Sequence, residues 1–116
     1  MSETLRVTTG RKDDVAVVYT EGYINNQGGE EIARVAGDLI SAGERKLLLN
    51  LGGTKIVNSI GISILIEIIE KMLEIDGRLA FCNLTPTIEK TFHIMGLTQY
   101  ATIFESEERA VRELAG

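Results

Sequence analysis

Apolar residues recur along this chain in two rhythms, and the change from one to the other marks the predicted elements. Residues 5–9 alternate apolar and polar side chains, and residues 15–19 are rich in apolar and β-branched ones, which predicts two strands. Gly10-Arg11-Lys12-Asp13-Asp14 between them reads as a polar turn, making the opening a hairpin. The rhythm then lengthens: Ile32, Val35, Ala36, Leu39 and Ile40 share one helical face, with Asn25 or Asn26 as the cap and Gly43 as the stop. Residues 47–51 form a continuous apolar run, the pattern of a strand buried on both sides in a parallel sheet.

The next segment is the most apolar helix of the chain, reaching residue 75 and ending near Asp76-Gly77. Leu65, Ile68, Ile69 and Met72 share its inner face, with Ile62, Ile66 and Leu73 on one shoulder and Ile64 and Ile75 on the other. Ser59, Ser63, Glu67, Glu70, Lys71 and Glu74 fall on the opposite arc, and Ile60 alone interrupts it. That places an exposed isoleucine beside a serine at a helix start. A strand at 79–83 follows, then a helix opened by Thr85-Pro86 and closed at Gly96, with Leu97 packing back on the cap. A short strand at 100–104 leads to a last helix, capped by Ser106, with Glu107 and Glu108 in its first turn and Ala110, Val111 and Leu114 on its inner face. The predicted order is ββαβαβαβα, a single α/β domain over residues 1–116 whose sheet is mostly parallel after an N-terminal hairpin.

Composition narrows the classes. A length of 116 residues with 44% hydrophobic and 25% charged positions fits one folded domain with its own core. Twelve Lys and Arg against seventeen Asp and Glu leave a net charge of −5 without a basic cluster, which argues against nucleic acid as a partner. Cys82 is the only cysteine, so neither an internal disulfide nor a cysteine zinc site is expected. The first residues, with Glu3, Arg6, Arg11 and Lys12, lack the apolar core of a signal peptide, and Glu67 breaks the apolar run far short of a membrane span. A cytoplasmic protein without membrane insertion is expected.

Catalytic chemistry is sparse in the sequence. His93 is the single histidine, with no acidic orienter assigned to it, and Glu67, Glu70 and Glu74 read as a solvated helix face rather than a metal site. Gly28-Gly29 and Gly52-Gly53 match no phosphate-loop spacing. Neither a cofactor, a metal nor an enzymatic activity is expected. On spacing alone, Ser59 reads as the N-cap of the central helix.

The segment Leu49-Asn50-Leu51, a short loop, then Val57-Asn58-Ser59-Ile60-Gly61-Ile62 resembles the signature of anti-sigma factor antagonists, members of the sulfate transporter and anti-sigma antagonist (STAS) domain family. Ile94-Met95-Gly96-Leu97 is similar to a second family segment. The resemblance implies that Ser59 is the serine that a partner kinase phosphorylates. It further implies a partner-binding surface of Asn25, Asn58, Ser59, Ile60, Gly61, Ser63 and Glu67. The implied partners are a serine-kinase-type anti-sigma factor, bound while Ser59 is unmodified, and a serine phosphatase. Asn25 and Asn58 stand where the family usually has an acid, and Ile60 where it has a small residue. These departures keep open a second reading, a STAS scaffold or subunit of a signalling or transport complex that is never phosphorylated. A small enzyme or nucleotide-binding domain is a third reading, resting only on the cleft that α/β sheets offer at their strand ends.

Overall fold

The computed structural model describes residues 5–116; Glu3 and the remainder of residues 1–4 of the expected domain lie outside the described residues. The elements run β1 (Arg6–Lys12), β2 (Val15–Glu21), α1 (Asn26–Ser41), β3 (Lys46–Gly53), α2 (Ser59–Glu74), β4 (Arg78–Cys82), α3 (Pro86–Ile94), a 3-10 turn (Leu97–Gln99), β5 (Thr102–Phe104) and α4 (Glu107–Leu114). The strands lie in sequence order, β1-β2-β3-β4-β5. β1 pairs antiparallel with β2, and every later pairing is parallel. The expected α/β order therefore holds, with the 3-10 turn as an addition.

The hairpin differs from the expected one. Pairing continues to Lys12 opposite Val15, so the reversal is made by Asp13 and Asp14 alone, with Asp13 in the left-handed region at φ 55°. Gly10, Arg11 and Lys12 belong to an exposed edge strand, whose polar side chains imitate a turn in sequence. At the far end of α2 the left-handed residue is likewise Asp76, at φ 57°, not Gly77. The other boundaries follow their sequence signals. Thr85 accepts from the Ile88 amide ahead of Pro86, Ser106 accepts from the Arg109 amide, and Gly96 takes φ 85° with Leu97 buried after it.

β3 is the axis of the core. Leu47, Leu49 and Leu51 enter one apolar layer with Leu65, Ile68, Ile69 and Met72 of α2 and Ile32 and Ala36 of α1. Leu48 points the other way, into a smaller layer with Val15, Val17, Ala80 and Cys82, covered by Ala110, Val111 and Leu114 of α4. Each fully buried leucine of this kind contributes roughly 1.5–3 kcal/mol. The broad apolar arc of α2 is explained by two surfaces: the sheet beneath it and α1 beside it. Ile64 packs against α1 at Gly29, where an added Cβ would lie 2.7 Å from its Cδ1. Leu73, on the same arc, is instead 47% exposed.

Candidate functional site

The site is built where the chain leaves β2 and β3 on its way into α1 and α2. These two connections run side by side as an irregular continuation of the sheet. The Gly22 amide donates to the Gly53 carbonyl, the Ile24 amide to the Ile56 carbonyl and the Asn58 amide to the Ile24 carbonyl, each at 3.0 Å. Ile24 and Val57 form a parallel bridge at the centre of this ladder. Beneath it the hydroxyls of Thr20 and Thr54 are hydrogen-bonded at 2.7 Å, both buried. The Thr54 amide also donates to the Leu51 carbonyl at 2.9 Å. A loop held at both levels can present its next residue in a defined place.

That next residue is the start of α2. Asn58 is extended, and its Oδ1 accepts from the Gly61 amide at 2.8 Å. Asn25 does the same for α1, accepting from the Gly28 amide at 2.9 Å. The expectation of Ser59 as the N-cap is thus corrected by one residue: Asn58 caps, and Ser59 is the first residue of the helix. Both residue types cap well, and only the backbone conformation of Asn58 separates them. The consequence for chemistry is direct. Ser59 is exposed, and its hydroxyl is not committed to the cap bond.

Because the two connections are paired, the N-termini of α1 and α2 lie next to each other. The position a Gly29 Cβ would occupy is 3.5 Å from the Gly61 Cα. Free first-turn amides and the positive ends of two helix dipoles meet beside Ser59. Gly61, expected among the contact residues, is buried, and a Cβ added there would meet Ile24. Ile60 is 52% exposed, and Ser63 and Glu67 continue the exposed ridge along α2. The Ser63 hydroxyl donates back to the Ser59 carbonyl at 3.1 Å. Asn25 is half-buried at the rim.

The structure adds residues that sequence reasoning passed over. Ile56, three residues before Ser59, is 57% exposed, and with Gly22, Tyr23, Gly53 and Lys55 it borders a hollow of about 190 Å³. An isoleucine outside the helical repeat, in a loop of otherwise small and polar residues, was the available signal. His93 also needs correction: Glu89 lies one turn before it, with Nε2 and Oε2 3.8 Å apart, as a solvent-facing pair.

A separate polar group lies on the sheet face under α4. Asn50 donates to Glu107 at 3.0 Å and accepts from Asn83 at 3.2 Å. Burial, then the nearby Glu107 carboxylate, pushes the Tyr19 hydroxyl and the Cys82 thiol each up to about 12. This group anchors the start of α4. Among the described residues, no helix is long and apolar enough to cross a membrane.

Comparison with known proteins agrees with this architecture. BtrV of Bordetella bronchiseptica, named as a candidate anti-sigma factor antagonist, is 23% identical over 106 residues, covering 91% of each chain. The crystal structure of an anti-sigma factor antagonist from Mycobacterium paratuberculosis superposes with a TM-score of 0.84 at 19% identity, covering 95% of this chain and 93% of that one. The Bacillus cell fate determinant SpoIIAA in its phosphorylated form superposes with a TM-score of 0.73 at 19% identity, covering 93% of this chain and 98% of that one. The family model of the STAS domain matches residues 6–110, which takes in every strand, α1 to α3 and the first half of α4. The chain belongs to the STAS domain family.

Proposed function

We propose that this chain is the phosphorylatable antagonist of a partner-switching circuit. Unmodified, it binds a serine-kinase-type anti-sigma factor through the α2 start and so frees a sigma factor in the cytoplasm. The observation that carries this reading is the setting of Ser59. Ser59 is exposed on the first turn of α2, outside the cap bond, and its sequence neighbours Ile56 and Ile60 are exposed as well. Ile56 and Ile60 supply apolar contact, while Asn25, Asn58, Ser63 and Glu67 supply the polar rim. Gly61 lets the loop sit where it does.

In the switching step the kinase supplies ATP and the base. Ser59 Oγ bonds to the γ-phosphorus, the bond from that phosphorus to the bridging oxygen breaks, ADP leaves, and the hydroxyl proton passes to the kinase. The product carries about −1.5 to −2 charges on the docking face at neutral pH. Two adjacent helix N-termini favour that charge, so the domain holds its fold while the surface it offers the partner gains negative charge. A serine phosphatase restores the hydroxyl by hydrolysis. The relative named for its phosphorylated form supports the compatibility of this fold with a phosphate.

The test is incubation with the cognate kinase and ATP, followed by mapping of the phosphate and by binding measurements on Ser59→Ala and Ser59→Asp. Phosphate on Ser59, retained binding by the alanine variant and weakened binding by the aspartate variant support the switch. Ser63 is exposed one turn along the same ridge, and phosphate recovered there instead would sink it. A constitutive scaffold is the second reading, favoured by one observation: Asn58 caps α2 fully without the acid usual in the family.

A further inference from the structure

The opposite end of α2 carries a second apolar surface that the Ser59 site does not use. Four of the exposed large apolar side chains, Leu73, Ile94, Met95 and Tyr100, are 47%, 72%, 47% and 60% exposed. Leu73, Met95 and Tyr100 border a groove of about 410 Å³ between α2 and the 3-10 turn, floored by Ile69 and Leu97. Leu73 lies 14 positions beyond Ser59, so the two surfaces are separated by about 21 Å along the helix.

We infer that this groove docks an amphipathic helix of a partner protein, one whose aliphatic stripe is flanked by lysine or arginine. Shape and charge both select that occupant. Ile66, Ile69 and Leu73 line the α2 wall at i, i+3 and i+7 spacing, a row about 10 Å long that matches two turns of an opposing helix. Among the described residues, Glu70 is the one charged residue lining the groove, and Glu67 and Glu74 extend the same exposed ridge beside it. The opposite wall, from Met95 through Gly96, Leu97 and Gln99 to Tyr100, bears no charge. A cation beside the aliphatic stripe therefore meets Glu70 at the groove and no charge on the other wall, while Lys71, on the same exposed arc, does not line the groove. A second copy of this chain fits worse, because its own α2 would bring Glu67, Glu70 and Glu74 against the same three residues, within a net charge of −5.

The experiment uses the full chain and a labelled synthetic helix of leucine and lysine in heptad pattern, with a counterpart carrying glutamate for every lysine. The lysine helix binds the wild type and the glutamate helix does not. Leu73→Asn and, independently, Tyr100→Ser each weaken binding about tenfold, the scale of one lost apolar anchor. Glu70→Gln weakens it several-fold at low salt, and Ile60→Asn, at the Ser59 end, leaves it unchanged. Both groove side chains are exposed, so their variants should melt as the wild type does. Wild-type affinity in both groove variants overturns the assignment, as does equal binding of the two helices by the wild type. Self-association of the chain that disappears in Leu73→Asn also overturns it and gives the surface to a second copy.

Discussion

A Cβ added to Gly61 would lie 2.4 Å from the carbonyl oxygen of Ile24. The same carbonyl accepts the Asn58 amide, so it cannot move without breaking the ladder that holds the α2 start. Gly61→Ala should therefore destabilise the domain by about 1–3 kcal/mol, the usual cost of overpacking a rigid site. Denaturant melts measure this. An unchanged midpoint would mean that the two connections are looser than the structure has them.

The cap and the acceptor are different residues, and substitution separates them. Asn58→Ala should cost about 1 kcal/mol through the lost bond to the Gly61 amide, whereas Ser59→Ala should stay within about 0.5 kcal/mol of the wild type. Ser59→Ala should nonetheless remove all phosphate acceptance. Equal losses of stability from the two variants would return the cap to Ser59.

Thr20 and Thr54 satisfy each other in a buried pocket, 34 residues apart in sequence. Replacing either by valine should cost about 1–3 kcal/mol, because the partner hydroxyl is left without its bond. The double valine variant should cost less than the sum of the two single variants. An additive double-mutant cycle would show that the two hydroxyls are not coupled.

Ile60→Glu should leave the melting temperature nearly unchanged, since the side chain is 52% exposed, and should weaken binding of the anti-sigma partner. Calorimetry and a binding titration on the same sample check both halves. Unfolding of this variant would place Ile60 in the core.

Tyr19 and Cys82 make the fold sensitive to alkali. Both hold their protons more tightly in the folded chain than their ordinary values of 10.0 and 9.0 allow, mainly through burial. The unfolded chain loses these protons first, so the stability linked to them is whole below about pH 9 and is lost as pH rises towards about 12. Chemical melts across that window should show falling stability, and Tyr19→Phe should flatten part of the fall. A thiol reagent should reach Cys82 only on unfolding.

Much of this fold was legible because its signals are local or periodic. The two-sided burial of residues 47–51 could be read from a run that is apolar except at Asn50, and Thr85-Pro86 marked a helix start that the structure keeps. The polar ridge from Ser59 to Glu74 followed from helical geometry alone, as did the exposure of Ile60. What escaped depends on backbone conformation or on long-range pairing. Asn58 and Ser59 are adjacent and equally suited to capping, so only an extended backbone decides between them. Arg11 and Lys12 carry turn-like side chains because an edge strand faces water. The Thr20–Thr54 bond and the Asn50–Asn83–Glu107 group join segments far apart in sequence, which no periodicity reports. The exposure of Leu73 escaped for the same reason, since its arc predicts burial and only the path of residues 95–100 leaves it uncovered.

The placement of the helices has a consequence for how the domain comes into being. α1, α2 and α3 all pack on one side of the sheet, and among the described residues the other side is closed by α4 alone. During synthesis on the ribosome, every strand can therefore assemble while Val15, Val17, Leu48, Ala80 and Cys82 still face water. Their shelter arrives only when residues 107–114 have emerged. A nascent chain stalled just short of that point would display a bare apolar sheet, a natural substrate for a chaperone.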